Sequence, residues 1–323
     1  MYSKSLIELA LLKDKCTQKE LALKLQVSPT QISKWKKSGE GISDEMENRL
    51  RELTGIGSRN PDVVCWTGGI EQADKWESLI LYLAAFAVER AETGYNTATL
   101  TDDTEYLAGS TLGILKDMGV QIPKEFPAEM LPPQESDLDT DEDYKKFTAF
   151  FEIPLIKKID TAFLALNDIE GFCGAYIFNL FDDSDLDELE HWDTIFQLDC
   201  CLLPLAFAKS GEQSLLAPDF REWSADVIKE VRKLVNSIKK LAIHHHIPLK
   251  AELSDLIFSS TDSLGEEAEG EAYGFNDDRL HPDIYMDEIL RSLRLMHQVL
   301  PAICTKLGIT SEELKIDKGD FTL

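Results

Sequence analysis

The sequence predicts an all-α protein, with a small helical headpiece at the N-terminus and a larger, mainly helical, acidic body behind it. Three observations lead there. Apolar residues recur at three- and four-residue intervals through most of the chain, while the period-two alternation of half-buried strands is scarce. Gly, Pro, Ser and Asn fall between those stripes, where helices start and stop. Charge divides the chain as well: residues 1–60 hold eleven Lys/Arg against eight Asp/Glu, a net of +3, which leaves −29 on the rest of a chain whose total is −26.

The headpiece is built from four helices. A leading helix is predicted around Ser5–Lys13. Thr17 to Leu25 follows, with Leu21, Ala22 and Leu25 at helical spacing. Ser28 is a good N-cap and Pro29 suits the first helical turn, where its missing N–H is no loss. The helix that starts there runs to about Lys37, buries Ile32 and Trp35, and ends before Gly39 and Gly41. A fourth helix, Ser43–Thr54, offers Met46, Leu50 and Leu53 to close the bundle.

Two short helices joined by a turn of three or four residues make a helix-turn-helix. The run Thr17–Lys37 carries Gln18, Leu21, Ala22, Leu25, Val27, Ser28, Ile32, Ser33 and Trp35 in the order Q-x-x-L-A-x-x-L-x-V-S-x-x-x-I-S-x-W. In that pattern the chain resembles the Cro/CI (lambda-repressor-like) family of bacterial and phage regulators, over residues 1–56. One position departs from it. The family usually has Gly where Gln26 stands, because that turn residue is left-handed, and a non-Gly residue there costs roughly 1–2 kcal/mol.

The resemblance implies that the second helix of the pair lies in the major groove of duplex DNA. Its outward residues Thr30, Gln31 and Lys34 would then read bases: Gln31 can pair with adenine N6 and N7, and Lys34 can reach a guanine edge or a phosphate. Gln18, Ser33, Lys36 and Lys37 would hold phosphates. A dimer on an inverted-repeat operator is the corresponding assembly.

Residues 57–75 read as a linker, with Gly57, Asn60-Pro61 and Gly68-Gly69 as breakers. From residue 76 to 323 the body follows, with a possible sub-boundary in the acidic, Pro-bearing stretch 123–143. Its first helix places Trp76, Leu79, Ile80, Leu83, Ala84 and Ala87 on one stripe. Thr104–Met118 is a second helix, stopped by Gly119. Pro154–Asn167 reads as amphipathic and Gly171–Phe181 as buried. Helices are then predicted at Leu186–Ala208 and Ser224–His245. The last long one carries Met286, Leu290, Leu293, His297, Leu300, Cys304 and Leu307, and is kinked at Pro301. The stripes of the last two repeat every 3.5 residues, which suits either a bundle core or a dimer seam.

Other chemistries lack their residues. Asp137, Asp139, Asp141 and Asp143 alternate like a calcium loop, yet Glu142 and Thr148 stand where Gly and Glu are required. Asp183, Asp185 and Asp187 fail in the same way. His244, His245 and His246 are consecutive on a helix and cannot converge on a metal, and His297 sits on an apolar stripe. Six cysteines without a Cys-x-x-Cys favour buried thiols over zinc or disulfides. No phosphate-binding loop, nucleophile signature or cofactor motif occurs. The longest apolar run, Leu79–Val88, is half a membrane span, and no signal peptide is visible.

The expectation is a cytoplasmic, dimeric, sequence-specific regulator, most simply a repressor, with no enzymatic activity, metal or cofactor. The alternative is an antitoxin-like or immunity-associated interaction protein, whose acidic body binds a protein and whose headpiece autoregulates. The acidic clusters at 135–143, 182–190 and 262–278 suit that reading, and equally suit solvated surface or repulsion that orients the basic head.

Overall fold

The computed structural model describes residues 3–38, 41–102, 104–133, 140–178, 188–211, 216–244, 253–275 and 282–309, and every regular element among them is helical. No helix among these residues is long and apolar enough to cross a membrane. Four helices make the head: α1 (Ser3–Lys13), α2 (Gln18–Leu25), α3 (Pro29–Ser38) and α4 (Asp44–Thr54). Leu6, Ile7, Ala10, Leu21, Leu25, Ile32, Trp35 and Leu50 form the core between them.

Local chemistry sets each head boundary. Thr17 and Glu20 make a capping box at α2: the Thr17 hydroxyl accepts from the Glu20 N–H, and the Glu20 carboxylate accepts from the Thr17 N–H at 2.7 Å. Ser43 caps α4, whose first turn holds Asp44, Glu45 and Glu47 against the positive helix end. At the other end Gly55 turns left-handed, and Lys13 donates to the Thr54 carbonyl at 2.9 Å.

The segment read as a linker is instead largely helical. α5 (Pro61–Thr67) and the start of α6 (Ile70–Glu89) occupy it. The apparent breakers are caps: the Asn60 side chain accepts from the N–H groups of Asp62 and Val63, Pro61 takes the first helical position, and Gly68 closes the helix at φ 87°. α5 packs on both α1 and α6. The Ser5 hydroxyl donates to the Asp62 carboxylate, and the Cys65 thiol donates to the Ser5 carbonyl at 3.4 Å. Head and body therefore share a continuous apolar core through Val63 and Val64.

In the body, α6 buries the predicted stripe, with Trp76 edge-on to Phe126 at 5.2 Å. α7 (Ala98–Thr101) and α8 (Thr104–Asp117) follow, and Gly119 stops α8 at φ 83°. The stretch 123–143 is not all loop: it holds a 3₁₀ turn at Ala128–Met130 and the start of α9 (Asp141–Phe151), capped by Thr140. Phe147 and Phe151 pack on Phe86 of α6, and Phe150 packs on Tyr82.

α10 (Pro154–Cys173) is the central helix, packed against α6 and two later helices. Fifteen of its twenty residues are buried, so it is enclosed rather than amphipathic, and a π-helical turn extends it over Gly174–Phe178. Its polar residues reach partners across the core. Asp160 pairs with Arg90, and Asn167 donates to the Ala87 carbonyl at 2.8 Å while accepting from Thr97 at 2.7 Å. The Lys158 ammonium, fully buried, donates to Ser210 Oγ at 2.9 Å and to the carbonyls of Gly211 and Phe207 at 2.6 and 3.2 Å.

The helix predicted over Leu186–Ala208 is two helices, α11 (Glu188–Asp199) and α12 (Leu202–Lys209). Pro204 explains the break, because its ring would strike the Cys200 carbonyl and it has no N–H to bond there. α13 (Phe220–His244) buries Val231, Leu234, Ile238 and Ala242 and packs on α11 and α12, so its stripe is core and not a seam. After α14 (Asp255–Phe258), part of the acidic stretch 262–278 folds as α15 (Thr261–Ala272), which lays Leu264, Gly265 and Ala268 on the body core, where α15 packs against α10. α16 (Pro282–Leu307) is a continuous helix through Pro301. The residues Asp137, Asp139, Asp183, Asp185, Asp187, His245 and His246 lie outside those described.

Candidate nucleic-acid interface

The turn between α2 and α3 is what aims the second helix. Gln26 is left-handed at φ 59° and ψ 39°, the conformation that a Gly was expected to supply. Val27 N–H returns to the Ala22 carbonyl at 2.9 Å, which closes α2 and reverses the chain within three residues. The Gln26 side chain points to solvent, so no packing repays the backbone strain. Ser28 then caps α3 by accepting from the Gln31 N–H at 3.1 Å.

At about 100° per residue, the buried pair Ile32 and Trp35 fixes which side of α3 faces out. The open face carries Thr30, Ser33, Lys34 and Lys37. Thr30, Lys34 and Lys37 are exposed and Ser33 is half-buried. Gln31 and Lys36 flank that face and are half-buried on either side of it. Lys36 leans back toward α1, with its ammonium 3.9 Å from the Glu8 carboxylate. Gln18 is half-buried at the first position of α2. Six of the seven predicted contact residues thus share one short helix, and the structure separates an open group from a flanking one that spacing alone treated alike.

The electrostatics around this face are local. Lys24 on α2 pairs with Asp14 at 2.8 Å, a hydrogen bond that raises the lysine further above its ordinary range. Hydrogen bonds from the Thr17 backbone and hydroxyl hold the Glu20 carboxyl below the usual carboxylate range, so it stays ionised in the capping box. Neither Lys24 nor Glu20 lies on α3, and Lys34 and Lys37 supply its outward positive charge.

A cavity of about 550 Å³ lies elsewhere, where α4, α5, α6 and α8 meet. Three of its four charged lining residues, Arg51, Arg59 and Asp74, are already committed. Arg59 makes a bidentate contact with Asp74, and Arg51 bonds Glu47 and the carbonyls of Gly57 and Arg59. These bonds brace the head against the body, a role that sequence reading missed because it took residues 57–75 for a linker. Comparison with known proteins adds nothing to this geometry: no family model, curated protein or solved structure matches the chain.

Proposed function

We propose that this protein is a sequence-specific double-stranded DNA-binding regulator, with α3 as its reading helix. The observation that carries the proposal is the open face of α3, which presents Thr30, Ser33, Lys34 and Lys37 beside a turn held by left-handed Gln26. The resemblance of residues 17–35 to lambda-repressor-like regulators supports it, as does the net +3 charge of residues 1–60 against −29 elsewhere. With so acidic a body, nonspecific attraction to phosphate is weak and binding depends on the orientation of the head. Thr30 and Lys34 take the base edges in this reading, Gln31 reaches them from the flank, and Gln18, Ser33 and Lys37 hold phosphates. Two heads on one inverted repeat supply the affinity that one small basic face lacks.

The test is selection of duplexes from a random library by the full chain. The expected product is an inverted repeat with half-site centres one helical turn apart, about 10–10.5 bp, or a multiple of it. Lys34→Ala should then cost about 1–3 kcal/mol on the selected site and flatten preference at one base step. Failure to enrich any sequence over random duplex overturns the reading.

A further inference from the structure

α16 differs from every other long helix among the described residues. From residue 290 to residue 309 all residues except Cys304 are exposed, and no described helix lies packed along it. The exposed residues include Leu290, Leu293, Met296, Leu300, Ile303 and Leu307, and exposures along the helix run from 43% at Val299 to 68% at Leu307. Helices draw most of their stability from tertiary packing, and this one also contains Pro301, which removes a helical hydrogen bond. Its apolar face has to be covered.

The pattern says by what. Leu290, Leu293, His297, Leu300, Cys304 and Leu307 alternate by three and four residues, with Met296 and Ile303 seven apart beside them. That is the heptad seam by which one helix packs along another of the same kind. The six large apolar residues of the seam present roughly 600 Å² between them, about three-quarters of the roughly 800 Å² that each partner contributes to a standard stable interface. Charge selects the direction. Asp283, Asp287 and Glu288 occupy the first two turns, while Arg291, Arg294 and Lys306 follow. A parallel pair sets acid beside acid, whereas an antiparallel pair sets the acidic start of one helix beside the Lys306 end of the other.

We infer that α16 pairs antiparallel with α16 of a second copy of this chain, and that this pairing is the dimer seam. Centring the pair near residue 295 overlaps the two helices along their whole length and sets Leu290 opposite Leu300 of the other copy. The seam does not rest on the DNA reading, because it is measured with no DNA present.

Sedimentation velocity on the full chain should give twice its 36.4 kDa mass. The double variant Leu293→Glu, Leu300→Glu should weaken self-association at least about a hundredfold, while Leu295→Glu, equally exposed but outside the seam, should leave it unchanged. A wild-type chain that is monomeric at about 50 µM, or a double variant that dimerises as tightly as wild type, overturns the proposal. Spin labels placed at residue 306 should lie about 33 Å apart in the dimer, at 1.5 Å per residue across the antiparallel offset. A separation near 10 Å, the distance between neighbouring helix axes, overturns the orientation.

Discussion

Replacing Lys37 by Ala removes an ammonium from the open face of α3, while replacing Lys36 removes one that lies 3.9 Å from the Glu8 carboxylate. On duplex DNA the two should behave differently. Each phosphate neutralised contributes a slope of about 0.9 to the fall of log affinity with log salt. Lys37→Ala therefore lowers that slope by about 0.9 per head, or about 1.8 for two heads on one operator. Between roughly 50 and 200 mM salt, a slope change of about 1.8 is worth about twelvefold in affinity. Lys36→Ala loses only an exposed ion pair of roughly 0–1 kcal/mol and should leave the slope within error of wild type. The assay is fluorescence anisotropy of a labelled, library-selected duplex titrated with full-length protein at four or five salt concentrations. Equal slope changes for the two variants would refute the assignment of α3 faces. No change for either would refute phosphate contact at the C-terminal end of α3.

Three further outcomes follow from the structure. Gln26→Gly relieves the left-handed turn at φ 59° but frees the unfolded chain, so the head should gain up to about 1 kcal/mol, read as slower amide exchange in α2 and α3; a loss of protection would contradict the strain argument. Burial pushes the Glu170 carboxyl up to about 7, so the folded state holds a proton that the unfolded chain releases near pH 4.5. Its contribution to stability is thus present at acidic pH and falls as pH rises toward 7, and Glu170→Gln should flatten that limb, gaining at most about 3 kcal/mol at pH 8 in urea titrations; an unchanged pH profile would count against it. Burial also lowers Lys158 to about 8, so its charged form is the disfavoured one and stability should rise between pH 8 and 10.5. Lys158→Met, which discards the charge but keeps the volume, should be near neutral at pH 7 and abolish part of that rise, whereas Lys158→Ala should cost about 2–5 kcal/mol through the cavity left behind.

Much of the fold was legible in the sequence because helices are local. The head boundaries at Lys13, Leu25, Pro29 and Thr54 coincide with caps and turn residues next to them in sequence, and the Trp76–Ala87 stripe announces the face that α6 buries. Reading failed where a residue has two meanings. Asn60-Pro61 looked like a breaker and is a helix start, because an N-cap and a turn use the same side chain–backbone bond. Leu186–Ala208 reads as one helix, and its described part is two, because Pro204 has no N–H for the carbonyl four residues before it. The acids of α15 hid a helix because its buried residues are few, Leu264, Gly265 and Ala268.

By itself the sequence determined the helical class, the caps of the head, the candidate reading helix and the sign of its charge. Those properties depend on residues within one or two turns of each other. Spacing already placed Ile32 and Trp35 on the inner side of α3; only the tertiary structure decided which outward residues stand fully exposed and which lean back, as Lys36 does toward Glu8 of α1. It also decided between two stripes of the same period. α13 is buried against α11 and α12, and α16 is left bare, because a heptad states that a face needs a partner and not which partner it meets.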